Sequence, residues 1–300
     1  MQHDTTEAAG QEGAPRPLWR RIWEFPLVAL LVATGLIYLV LVVSGETAKK
    51  LPAIPGLPGQ IPFNLICGPL LLLVYVLAIA RLGRHPHNDY RDPQWLRHLA
   101  LGLGGGVALF TLAVLIAAAI GIYRIVGLGD FSGMVAASLS TALFPAIFEE
   151  MVFRGVFFRW IEEFGGSWTA LFLTSAIFGA AHLGNPNASV IAAVGIALEA
   201  GVMLGAAYML TRSLWLPMGI HAAWNFTQGE VYDIPVSGTK VHGLLDGQLS
   251  GTPLMTGNGF GLEASPIAIV VATLFGLWLL WLAIRKGELR SPMWVKRTDR

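Results

Sequence analysis

Charge is scarce in this sequence. Asp, Glu, Lys and Arg make up 13% of its 300 residues, against roughly 25% in an ordinary soluble domain. Cysteine occurs once, at position 67, so Cys67 has no partner for a disulfide and no second thiol beside it for a metal. It sits inside an apolar run, where it reads as a small filler. No fixed-period repeat and no second soluble domain is visible, and the near-neutral net charge of +1 gives no reason to expect a nucleic-acid partner. What the chain has in abundance is apolar surface: 54% of residues are hydrophobic and the mean hydropathy is +0.61.

Crossing a hydrocarbon layer about 30 Å thick takes about 20 apolar residues in a helix. Segments of that kind recur at 25–43, 61–80, 98–123, 133–164, 167–183, 189–211, 213–228 and 264–284. The two short ones, 167–183 and 213–228, count because each makes a tight hairpin with a longer neighbour. The expected fold is therefore all-α, a polytopic membrane bundle of about eight transmembrane helices. The first run follows basic residues, as a signal peptide's would, but no small-residue cleavage site follows it, so it reads as a retained helix.

The basic residues are unevenly shared. With the N-terminus inside, 16 of the 20 lysines and arginines fall on the cytoplasmic side and only Lys49, Lys50, Arg124 and Lys240 on the other, as the positive-inside bias requires. Both termini are thus expected in the cytoplasm, with the chain in the cell membrane and the bilayer as its first partner. Residues 1–17 read as a disordered cytoplasmic tail, 18–130 as N-terminal membrane helices, 131–284 as the part that carries chemistry, and 285–300 as a basic cytoplasmic tail. Residues 81–97 form a basic loop suited to an anionic lipid surface, in which His85 and His87 read as solvated. The Gly-rich stretch 229–263 is too long for a bare connector, so it is either a lid or rim over a site, or disordered.

Ionisable side chains within a bilayer are costly and mark functional candidates. Here they are Glu149, Glu150, Arg154, His182, Glu199 and His221. Glu150 and Arg154 are four apart, stacked on one helix face where an ion pair can form; Glu149 points about 100° away. Glu149 lies 16 residues before Gly165 and His182 lies 16 after Gly166, so antiparallel legs turning at those glycines bring carboxylate and imidazole level. Both then lie roughly 24 Å from the hairpin tip, whose Arg159, Glu162 and Glu163 are expected to project from the membrane. A second hairpin near Arg212 brings His221 about 14 Å in, with Asn225 one turn deeper on the same face. Glu199 is left with two readings, a hydrogen bond within the bundle or a place on the cavity wall.

Three motifs in this region resemble those of the CPBP family of intramembrane glutamate proteases, the CAAX-protease type: EExxxR at Glu149 to Arg154, FxxxH from Phe178 to His182, and HxxxN from His221 to Asn225. The text YMLTRSLWLPMGIHAAWNF (208–226) is also similar to the family's third-motif region, and LLDGQLSG (244–251) resembles bacterial members. The resemblance covers roughly residues 133–284 and implies a CAAX-protease-like core that hydrolyses a peptide bond with water, with no cofactor and no metal. A carboxylate in a low-dielectric site suits that task as a general base. On this reading Glu149 is the base, His182 holds the water and helps pass its proton to the leaving amine, and His221 and Asn225 donate to the oxyanion. Glu150 and Arg154, with Phe178, are supporting residues. The expected substrate is a peptide or membrane protein, prenylated or not.

Other chemistries compete. One Glu and two His suffice for a catalytic zinc, although HExxH is absent. GLGD (127–130) and YD (232–233) have the look of aspartyl intramembrane proteases, but lie in polar loops in reversed order. No GxSG occurs in a span, which removes rhomboid-type serine chemistry. A proton-coupled transporter or non-catalytic scaffold also uses buried Glu, His and Arg, yet the motifs cluster in one half with no repeat between halves.

Overall fold

The computed structural model describes residues 17–52, 59–130 and 132–295. The expected tail 1–17 lies, but for Pro17, outside the described residues, as do Lys296, Arg297 and Arg300. In chain order the helices are α1 (Leu18–Trp23), α2 (Pro26–Ala48), α3 (Gln60–Leu77), α4 (Trp95–Ala119), α5 (Met134–Gly184), α6 (Val190–Thr211), α7 (Trp215–Phe226) and α8 (Pro266–Arg285). Two strands, β1 (Tyr123–Leu128) and β2 (Leu245–Leu249), pair antiparallel with a bulge between Ile125 and Gly127. The protein is an all-α polytopic bundle, with this ribbon as the one sheet among the described residues.

Six of these helices, α2 to α6 and α8, are long and apolar enough to cross a membrane. The expected eight segments are recovered by dividing α5. Its 51 residues break at Gly166, whose φ of 82° and ψ of 168° lie in a region essentially closed to residues with a Cβ. The chain reverses there, and the register counted from the sequence holds: Phe153 and Phe178, equally far from the turn, meet with ring centroids 4.8 Å apart. Helix α7 is the eighth, shorter segment and continues as a wide π turn over Thr227–Val231.

Leu31, Leu65, Leu115, Phe172 and Leu274 stand exposed on the outer helices, as a lipid-facing surface requires. The helix interiors meet through small residues. A Cβ on Gly102 or Gly106 of α4 would come within 2.5 Å of the Leu216 or Ile220 carbonyl of α7. This GxxxG spacing lets the two backbones touch and holds rigid the short helix that carries His221 and Asn225.

Three stretches are built otherwise than their sequence suggests. The hairpin tip is covered by protein: Arg159 and Glu162 are buried because residues 288–295 fold back over it. Ser167 N–H donates to the Arg290 carbonyl at 3.0 Å and Met293 N–H to Phe164 at 3.1 Å, while Arg212 Nη1 pairs with Glu162 at 2.6 Å. The described part of the C-terminal tail is therefore packed structure. Loop 81–97 is likewise docked, through Asp89, which is 1% exposed. Asp89 accepts from the Tyr75 and Tyr208 hydroxyls, and Arg159 binds the His85 and His87 carbonyls at 3.0 and 2.8 Å. His87 Nε2 stands 3.3 Å from the Arg212 carbonyl and His85 Nδ1 3.1 Å from Glu163, so the two rings make contacts although they remain exposed.

The third stretch is 98–123, where the helix ends at Ala119. Gly121, at φ 79°, turns the chain into β1, which pairs with the Gly-rich stretch. That stretch is folded. Gly238 N–H donates to the Phe260 carbonyl at 2.7 Å, and Tyr123 Oη donates to the Tyr232 carbonyl at 2.9 Å.

Candidate active site

The seven motif residues lie on three neighbouring segments: the first leg of α5 (Glu149, Glu150, Arg154), its second leg (Phe178, His182) and α7 (His221, Asn225). At the centre stands Glu150, fully buried. Its Oε1 accepts from Arg154 Nη1 at 2.9 Å and from His221 Nδ1 at 2.9 Å. The ion pair expected within α5 is formed, and the same carboxylate also tethers α7. Arg154 spends its other nitrogen on the Ala200 and Gly201 carbonyls of α6, at 3.0 and 3.3 Å. Those carbonyls belong to a wide π turn, Ala197–Gly201, which leaves backbone acceptors without their ordinary helical donors. The guanidinium lies 4.8 Å over the Phe178 ring, a cation–π contact. Phe178 thus backs Arg154 and also stacks on His182, with centroids 4.8 Å apart.

The two imidazoles are oriented by what they bind. His182 Nδ1 is 2.8 Å from the Phe178 carbonyl. A carbonyl can only accept, so Nδ1 carries the proton and Nε2 of the neutral ring offers its lone pair. His221 Nδ1 donates to Glu150 in the same way, which leaves its Nε2 free. Asn225 Nδ2 donates to the Thr141 carbonyl at 2.9 Å, which belongs to another wide π turn, Ser138–Leu143. One amide hydrogen of Asn225 remains available.

Glu149 is placed differently from Glu150. It is half-buried, its Oε2 is enclosed without a hydrogen-bond partner, and its charge acts on both Arg154 and His221. A cavity of about 30 Å³ opens between α5, α6 and α7, lined by Phe178, His182, His221 and Asn225 among others. That is the room a water occupies. Glu149 does not line it, whereas Glu199 and Glu263 do. Glu199 accordingly takes the second of its two sequence readings, a place on the cavity wall. Glu263 and Ser237, also on the wall, were not legible from sequence because they come from the Gly-rich stretch, which shows no periodicity.

Among the described residues, no group of three or more His, Cys, Asp or Glu is placed to hold a metal ion. A much larger cleft of about 1260 Å³ lies elsewhere, beside α1 and the hairpin tip, and holds none of the motif residues.

Residues 131–227 match the family model of type II CAAX prenyl endopeptidases, described as Rce1-like. No curated protein and no solved structure matches the chain. The matched interval contains all seven motif residues, on the three segments that enclose the cavity. Residues 131–227 are thus similar to the Rce1-like type II CAAX prenyl endopeptidases, within a multi-pass membrane protein.

Proposed function

We propose that the protein is an intramembrane endopeptidase in which Glu149 activates a water for attack on a peptide bond, without a metal. The observation that carries this reading is the division of labour between the adjacent carboxylates. Glu150 has one oxygen occupied by both Arg154 and His221, so it is committed to structure. Each carboxylate keeps an enclosed Oε2 without a partner, but only Glu150 is held in an ion pair, which leaves Glu149 as the one to take a proton.

On this reading a water held by His182 Nε2 attacks the carbonyl carbon and gives its proton to Glu149. Negative charge then develops on the carbonyl oxygen. His221 Nε2, with Glu150 at the far nitrogen to stabilise an imidazolium, and the remaining amide hydrogen of Asn225 donate to that oxygen. Each such donor is worth about 3 kcal/mol in a water-poor site. His182 helps move the proton towards the leaving amine. The substrate is a peptide or membrane-protein segment within the bilayer, and a prenylated CAAX peptide is the first to try, given the family. Both termini and loop 81–97 face the cytoplasm.

The test is comparative membrane proteomics of cells carrying wild type or Glu149→Gln. Membrane proteins or peptides that accumulate uncut only in the variant support the reading. Identical profiles, or activity that tracks stoichiometric zinc and disappears with a chelator, oppose it.

A further inference from the structure

The cavity beside His182 has a second acidic wall that none of the three motifs contains. Glu199 sits on the wide turn of α6 and Glu263 in the short turn Leu262–Ala264 before α8. Each is 2% exposed, and both line the same cavity of about 30 Å³. Glu263 is held by the Ser237 N–H at 2.5 Å and by the Gln228 side chain. Glu199 Oε2 is enclosed with no hydrogen-bond partner. The Glu263 charge acts on Glu199, and among the described residues neither forms an ion pair with a lysine or arginine. The groups facing the pair from other elements are His221 on α7, whose charge reaches Glu263, and His182 on α5 across the cavity.

Two buried carboxyl groups on the wall of one small cavity, with neither paired to a lysine or arginine, do not both ionise; one keeps a proton, as in aspartic-protease dyads. Among the motif residues the only proton on offer to the amine is the one that Glu149 takes from water. Glu149 begins the reaction without a proton, and neutral His182 spends its N–H on the Phe178 carbonyl. Yet an amine leaves poorly as an anion, so amide hydrolysis needs an acid at nitrogen as well as a base at water.

We propose that Glu199 and Glu263 share one proton and that Glu199 delivers it to the nitrogen of the departing amine. This deepens the peptidase reading above and rests on it. In the balanced sequence, the water oxygen bonds to the carbonyl carbon while its first proton goes to Glu149. The carbon–nitrogen bond then breaks, its electron pair stays on nitrogen, and nitrogen takes the Glu199 proton. The proton on Glu149 returns through His182 Nε2 and the cavity water to the Glu199–Glu263 pair. One water is consumed and no other reactant is required.

Two measurements on the full-length protein in bilayers test this. Infrared difference spectra at neutral pH should show a protonated-carboxyl band in wild type that is lost in Glu199→Gln and in Glu263→Gln. Cleavage is then followed on a farnesylated CAAX peptide and on its analogue with a thioester at the scissile bond, because a thiolate departs without being protonated. Glu199→Gln should lower peptide cleavage about 100-fold and leave thioester cleavage within about threefold of wild type. A band that survives in both variants overturns the shared proton. Equal losses on both substrates assign the pair to structure and overturn the donor role. Glu149→Gln serves as the control: if it still cleaves both substrates, the peptidase reading fails and the donor role with it, while the infrared band reports the shared proton regardless.

Discussion

His221 Nδ1 lies 2.9 Å from Glu150 Oε1, so the third motif is bonded directly to the first. Helix α7 is fixed to α5 through a carboxylate that Arg154 already holds at 2.9 Å. On the proposed mechanism the carboxylate next to it in sequence, which is not held in an ion pair, is the base. Several consequences can be measured.

Removing one partner of a buried ion pair leaves the other charge stranded, at a cost of about 3–5 kcal/mol. Arg154→Ala should therefore accumulate poorly in the membrane or melt well below wild type before any specific kinetic defect is visible. Arg154→Met combined with Glu150→Gln, which strands no charge, should recover part of the lost melting temperature. A double variant no more stable than Arg154→Ala would show that the pair is not what fails.

Asn225 binds the Thr141 carbonyl with one amide hydrogen, and on the proposed mechanism the other serves the transition state. Asn225→Ala should lower kcat by about 100-fold or more with little change in KM. A rise in KM at unchanged kcat would assign Asn225 to substrate binding.

The proposed orientation rests on the 16-to-4 split of basic residues. A cysteine placed at Arg91 should resist a membrane-impermeant thiol reagent added to intact cells and react once the cells are opened. Labelling from outside would invert the topology.

Burial pushes the Glu263 carboxyl up to about 7, from an ordinary 4.5, against the pull of the Ser237 and Gln228 hydrogen bonds and the charge of His221. Because the folded value is raised, the stability it contributes is fully present below 4.5 and is lost as pH rises through about 7. The melting temperature of wild type should fall across that window. Glu263→Gln, which cannot titrate, should flatten the slope, and an unchanged slope would mean that other groups set it.

The membrane bundle was legible because its signals are local: apolar length marks the helices, and equal counting from Gly165–Gly166 placed the two legs of α5 in the register that the Phe153–Phe178 contact confirms. The Glu150–Arg154 pair was legible for the same reason, since helix geometry alone sets it. What escaped depends on distant partners. Arg159 and Glu162 look like a solvated tip until Arg212 and residues 288–295 arrive to cover them. Asp89 looks like one loop acid among several until Tyr75 and Tyr208 close on it. Strand β1 finds its partner across most of the catalytic half of the chain, and Glu263 reaches the cavity only because the Gly-rich stretch between them folds.

The most direct measurement is the rate of peptide-bond cleavage by purified Glu149→Gln, reconstituted in bilayers at the same folded amount as wild type. With Glu149 as the base, the rate should fall by about two orders of magnitude or more while the melting temperature stays near that of wild type; His182→Ala should behave alike. Wild-type cleavage by folded Glu149→Gln would contradict the assignment and pass the role of base to another carboxylate.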